Sequence, residues 1–166
     1  MKRIDKSSLM EIDKSLGKLF GKMGKEYEAR TGYPRPLVDD ILAYGDLQAG
    51  KRMLEVGCGL GQATRLFAET GLEVVGLDIS EEFIELTGEK FSLYPNVSFR
   101  HGSFETIDLS GISFDAIASG MAWHWLDATV AYKKAHAALK EKGTLALFWS
   151  YQDREKSTFV QEVSKV

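Results

Sequence analysis

The chain has too little cysteine to staple itself. Its single thiol, Cys58, has no internal partner, so a disulfide framework is excluded, and its place in a glycine turn fits a reducing, cytoplasmic setting. Long apolar runs are also missing. Nothing approaches the ~20 residues of a membrane-spanning helix, and the opening "MKRIDKSSLMEIDKSLGK" is too polar for a signal peptide. Charge of one sign is not in excess: 21 Lys and Arg against 24 Asp and Glu leave −3 at pH 7. That balance offers no general attraction to nucleic acid or to an anionic membrane. Three scattered histidines and one cysteine provide no metal-ligand spacing. What is present, 166 residues of which 44% are hydrophobic, suffices for one packed core in a soluble cytoplasmic domain.

Two regimes follow one another along the chain. Residues 9–27 place Leu9, Ile12, Leu16, Leu19, Phe20, Met23 and Tyr27 at helical spacing, interrupted by glycines that weaken the helix. Lys14, Lys18 and Lys22 recur on another face and read as a solvated surface. "TGYPRPL" marks a turn, and "LVDDILAYG" predicts a short helix ended by Gly45. Residues 1–45 therefore read as a helical cap, mobile because its first helix is intrinsically weak.

From residue 52 strand and helix alternate. "RMLEVG", "EVVGLD", "NVSFRHG", "FDAIASG" and "TLALFWS" predict strands, separated by helices over "GQATRLFAETG", "SEEFIELTGEKFSLY" and "ATVAYKKAHAALKEKG". Ser80 is the expected cap of the second of these helices. Val130, Ala131, Ala135, Ala138 and Leu139 are the expected inward face of the last. Alternating units with apolar strands predict an α/β fold, a doubly wound and mostly parallel sheet spanning residues 46–150.

"EVGCGLG", residues 55–61, closes the first strand and opens a helix, the place where such sheets bind ligands. Gly57 and Gly59 permit a ligand to approach the main chain, and Gly61 permits the helix to start close to the strand. About twenty residues on, the second strand ends in Asp78, placed to accept both hydroxyls of a ribose. An adenosine-containing cofactor is favoured. The G-x-G-x-G spacing leaves Gln62 where a dinucleotide fingerprint needs a third glycine or alanine, and no Gly-Lys-Ser/Thr phosphate loop exists.

Taken in order, "LEVGCGLGQAT", "VVGLDIS", "VSFRHGSFETI", "FDAIASGMAWHWLD" and "ALKEKGTLALFW" resemble the successive motifs of class I S-adenosylmethionine-dependent methyltransferases. Within them the chain is similar to the small-molecule branch of ubiquinone/menaquinone-biosynthesis-like and trans-aconitate-methyltransferase-like enzymes. "FGKMGKEYEARTGYPRPLVDDIL" resembles the cap of that branch, and the likeness covers roughly residues 20–150. It implies a Rossmann-like methyltransferase fold, S-adenosyl-L-methionine as cofactor and a small-molecule methyl acceptor. It also implies roles. Glu55, Gly57 and Gly59 would surround the methionine portion, and Asp78 would hold the ribose. Ile79 would pack on the adenine, and Ser103 and Phe104 would meet the adenine edge, although the family carries Asp at the position of Ser103. Ser119 would lie near the methionine group, with Met121 and Trp123 beside it.

Methyl transfer from a sulfonium carbon needs alignment and exclusion of water, and needs a base only for a protonated nucleophile. His124 is the candidate base and Tyr33 the second. Trp123 and His124 are candidate pocket walls as well, while Arg30 and Arg35 are candidates for holding a substrate carboxylate. Two alternatives remain: a non-catalytic or degenerate cofactor-binding module of the same family, and an NAD(P)-dependent oxidoreductase, disfavoured by the glycine spacing and by the lack of a Tyr-x-x-x-Lys pair. The family's sheet has seven strands and five are visible. "TLALFWS" is thus left with an open edge after which residues 151–166 read as a polar tail. The expectation is that C-terminal strands are missing, or that two copies pair as a dimer through that edge.

Overall fold

In the computed structural model, residues 32–150 are described. The expected helix over residues 9–27, Arg30 and the tail 151–166 lie outside them. Helix α1 (Arg35–Tyr44) is followed by β1 (Arg52–Val56), α2 (Gln62–Ala68), β2 (Glu73–Asp78), α3 (Glu81–Lys90), β3 (Val97–His101), β4 (Phe114–Gly120), α4 (Ala128–Ala138) and β5 (Leu139–Phe148). A single 3-10 turn, Trp123–Trp125, stands between β4 and α4. The five strands pair in parallel in the order β3-β2-β1-β4-β5. Strand order reverses between β1 and β4, so a crevice for a ligand falls at their carboxyl ends.

The sheet is buried on both faces, as its apolar strands require. Because side chains alternate, Met53, Val74, Ala116 and Ala118 pack on one face with Phe67, Leu72, Val38 and Phe148. Leu54, Val56, Val75, Leu77 and Ile117 pack on the other with Phe104, Phe114, Trp123 and the Ala131, Ala135 and Ala138 stripe of α4. Each large side chain so buried contributes roughly 1.5–3 kcal/mol relative to exposure.

Helix ends follow local chemistry. Ser80 Oγ accepts from Phe83 N at 3.3 Å, the expected cap of α3. α1 starts at Arg35, two residues before the predicted Leu37, because Pro34 and Pro36 preset the first turn. Its end at Gly45 is as expected.

The last helix is shorter than its sequence predicts. α4 stops at Ala138, and Leu139 already belongs to β5. Lys140 is drawn away to Asp115, with Nζ 2.8 Å from Oδ2, and Lys142 takes a left-handed φ of 64°. Residues 140–143 form a bulged excursion, since pairing jumps from Phe114↔Leu139 to Ala116↔Thr144. Val130, expected inward, is 38% exposed because it stands off the Ala131–Ala135–Ala138 stripe.

Gly61, the residue before α2, has φ +80°, and a Cβ there would lie 2.4 Å from the Phe91 ring. Gly61→Ala is therefore expected to lower stability by about 2–5 kcal/mol, joining ~1–2 kcal/mol of left-handed strain to ~1–3 kcal/mol of overpacking. A lower urea midpoint at unchanged m checks this.

Candidate functional site

Three glycines, two carboxyls and one strained methionine meet at the carboxyl edge of β1, β2 and β4. The Asp78 carboxylate clamps the glycine loop: Gly59 N–H donates to Oδ2 at 2.8 Å and Ser80 N–H to Oδ1 at 2.9 Å. Gly57 and Cys58 N–H both donate to Leu77 O, at 2.8 and 3.1 Å. From α3, Thr87 Oγ1 donates to Gly59 O at 2.9 Å. Gly57 has φ +74°, and a Cβ there would fall 2.3 Å from that of Ala122. The missing side chain thus lets the β1 loop touch the segment that follows β4.

Glu55 lies beneath the loop on the Met53 face of β1, only 2% exposed. Thr64 Oγ1, one turn into α2, donates to its Oε2 at 2.5 Å. Burial pushes the Glu55 pKa up to about 8; the Thr64 bond opposes the rise and the Asp78 charge adds to it. Burial also raises Asp78, against the N–H groups of Ser80 and Gly59 and the nearby His101. Cys58 is buried as well, and its thiol is held well above its usual range by burial and by both carboxyls. It stays protonated and unreactive.

The adenine-side candidates follow β2 and β3. Ile79 is 39% exposed, and its carbonyl accepts from His101 Nε2 at 3.1 Å. Ser103 donates its hydroxyl to Glu105, whose Oε1 accepts from Asp127 N at 3.1 Å. Phe104, expected at a ligand edge, has its ring turned into the core, 2% exposed and 5.6 Å from the ring of Trp123. Lys134 Nζ pins this loop from α4 by donating to the carbonyls of Glu105 and Ile107.

On the other side, Ser119 is fully buried and donates to Val56 O at 2.8 Å, tying β4 to β1. Trp123, a candidate wall, is a core ring instead, 5% exposed and edge-on to Tyr132; the 3-10 turn directs it beneath the sheet end. Its neighbour His124 is exposed, and Trp149 Nε1 donates to His124 Nδ1 at 3.1 Å. Met121 takes φ +58°, unusual for a side chain of its size; its N–H donates to Phe148 O at 3.0 Å, and its Sδ accepts from Ser150 N. The Tyr33 ring stands edge-on to Phe148 at 4.8 Å, its hydroxyl over Gly120, 2.6 Å from where a Cβ would be. Arg35 is exposed and pairs with Asp39 within α1 at 2.9 Å, a surface role rather than a substrate clamp.

So the structure gathers Glu55, Gly57, Gly59, Asp78, Ile79 and Ser103 along β1, β2 and β3. Tyr33, Ser119, Met121 and His124 collect at β4 and β5. Thr64, Glu105 and Trp149 were missed as partners. A buried acid requires a hydrogen bond, so a hydroxyl one turn into the helix after Glu55 was the available signal for Thr64. Nothing in sequence alone pairs Trp149 with His124.

A five-stranded parallel sheet in this order, with a glycine loop after β1, defines a Rossmann-like α/β fold. Residues 54–147 match the methyltransferase domain family, and the chain belongs to that family. It is 31% identical over 148 residues to an uncharacterised methyltransferase of Mycobacterium tuberculosis, covering 89% of this chain and 58% of that one. With an uncharacterised methyltransferase of Schizosaccharomyces pombe it shares 32% over 140 residues, 83% of this chain and 55% of the relative. The chain spans less than three-fifths of these curated relatives. A crystal structure of an S-adenosylmethionine-dependent methyltransferase from Geobacter sulfurreducens, in complex with S-adenosyl-L-homocysteine, superimposes with TM-score 0.60 at 20% identity, over 76% of this chain and 53% of that one. The nicotinamide alternative finds no support among them.

The Glu55 environment makes a testable demand on pH. The folded carboxyl keeps its proton to about pH 8, whereas the unfolded one releases it near 4.5. The folded state thus binds more protons between these values, and stability falls as pH rises through them. Glu55→Gln is expected to flatten this dependence, narrowing the loss between pH 5 and pH 8 measured by urea denaturation.

Proposed function

We propose that this chain binds S-adenosylmethionine and transfers its methyl group to a small-molecule acceptor in the cytoplasm. The observation that carries the reading is the Asp78 carboxylate at the end of β2, which holds the β1 glycine loop with one N–H on each oxygen. A carboxylate offers about four lone-pair positions, so acceptor capacity remains for a ribose diol. The second carboxyl fits the other half of the cofactor. Glu55 is buried near Asp78 with its pKa raised by burial and then by the Asp78 charge, so a cationic ligand beside it would favour its ionised form.

The bound cofactor supplies a methyl group on a good leaving group. The chain supplies placement: Asp78 and the Gly57–Gly59 loop hold the nucleoside and methionine parts, with Ile79 and Ser103 beside the base. Tyr33, Met121 and His124, at the ends of β4 and β5, border the acceptor's approach and exclude water from it. Orientation of this kind carries most of the rate, since the reaction itself needs no metal or covalent intermediate.

Calorimetry with S-adenosylhomocysteine, S-adenosylmethionine and NAD tests the reading. The first two are expected to bind and NAD is not. Asp78→Ala should cost roughly 1.5–3 kcal/mol of adenosylhomocysteine affinity, the scale of hydrogen bonds to a charged group. Asp78→Asn should lose part of this. Unchanged affinity in Asp78→Ala would remove the assignment.

A further inference from the structure

We propose that His124 is a fixed hydrogen-bond donor to the methyl acceptor through its Nε2–H, and that it thereby selects an acceptor with an anionic oxygen on an apolar body. The assignment rests on the methyltransferase reading above. An indole N–H can only donate. Because Trp149 Nε1 donates to His124 Nδ1 at 3.1 Å, the lone pair of Nδ1 is engaged, and the neutral ring carries its proton on Nε2. To act as a base the ring would take a second proton at Nδ1, where the Trp149 N–H already points. The hydrogen bond that orients His124 therefore removes it from proton abstraction and leaves a donor directed by its indole partner.

The surroundings complete the description of the acceptor. The exposed ring of Trp125 lies 4.9 Å from that of His124 at 42°, and Trp149 is itself 37% exposed. These faces offer an apolar wall beside the Nε2–H. The place is right, since Ala122, two residues before His124, touches the glycine loop at Gly57. An anionic oxygen forms its new bond to the methyl carbon with its own lone pair, while the carbon–sulfur pair stays on sulfur. No proton moves, so a histidine that donates and does not abstract suits such an acceptor. An amine acceptor, by contrast, arrives protonated, needs a base, and meets an N–H of like polarity.

The test uses the full chain, 15N-labelled and saturated with S-adenosylhomocysteine. Phenylacetate and phenethylamine serve as probes with the same ring and opposite charge. Long-range 1H–15N spectra are expected to show the Nε2–H tautomer at His124, and phenylacetate to shift its resonances saturably while phenethylamine does not. Trp149→Phe should admit the Nδ1–H tautomer and weaken the phenylacetate response about two- to tenfold, the scale of one hydrogen bond. An Nδ1–H tautomer in the unmodified chain, or equal responses to the two probes, would overturn the assignment of His124 alone. Failure of S-adenosylhomocysteine to bind in parallel calorimetry would instead overturn the methyltransferase reading beneath it.

Discussion

Two N–H bonds to the Asp78 carboxylate hold together parts of the chain that sequence keeps nineteen positions and two positions away. One draws the loop after β1 onto the end of β2; the other sets the entry to α3, where Ser80 caps the helix. With Asp78 in place, Gly57 and Cys58 reach Leu77 O, and Thr87 reaches Gly59 O from α3. Without it the loop would have to satisfy its buried N–H groups elsewhere, at about 1–3 kcal/mol for each left unpaired. The same carboxylate then faces the crevice. In the proposed reading, the residue that organises the loop is also the one offered to the ligand, so loop geometry and binding would not be separable.

The buried acids set a cost against this order. Burial raises the proton affinity of both Glu55 and Asp78, and the Asp78 charge adds to the rise at Glu55, an arrangement no packing argument would favour. The apolar layers above and below the sheet offset it, and Thr64 relieves part of it at Glu55. The capping of α3 and the stripe of α4 are conventional, while Met121 and Gly57 take left-handed backbone at the crevice, as Asp46 and Lys142 do in turns away from it.

Legibility from sequence divides along the same line. The strands announce themselves because β1, β2 and β4 are apolar on both faces. The ligand edge is readable because a glycine loop and a strand-end acid recur at a spacing that the βαβ unit dictates. The α4–β5 boundary was not readable. "LKEKG" continues a helical pattern, but Leu139 pairs with Phe114 in the sheet and Lys140 reaches Asp115, and the helix ends at Ala138. Partnerships between distant side chains were equally hidden. Ser103 stands where the family resemblance implies an Asp, and a carboxylate follows two residues later in Glu105, bonded to that serine's hydroxyl. The orientation of Trp123, core rather than wall, depends on a 3-10 turn whose sequence "WHW" carries no periodicity.

The position of Glu55 also bears on how the chain finds its pairing as it folds. In β1 the acid shares a face with Met53 and meets Thr64, while Leu54 and Val56 face the opposite layer. Parallel strands this uniform in aliphatic character are poorly protected against pairing one residue out of step. A slip by one residue would carry the Glu55 carboxyl into the layer of Phe104, Phe114 and Ile117, with no hydroxyl to receive it. The misaligned sheet would therefore bear a buried, unpartnered acid, which the native alignment avoids. A side chain that weakens the finished core acts, during folding, as a check on its register.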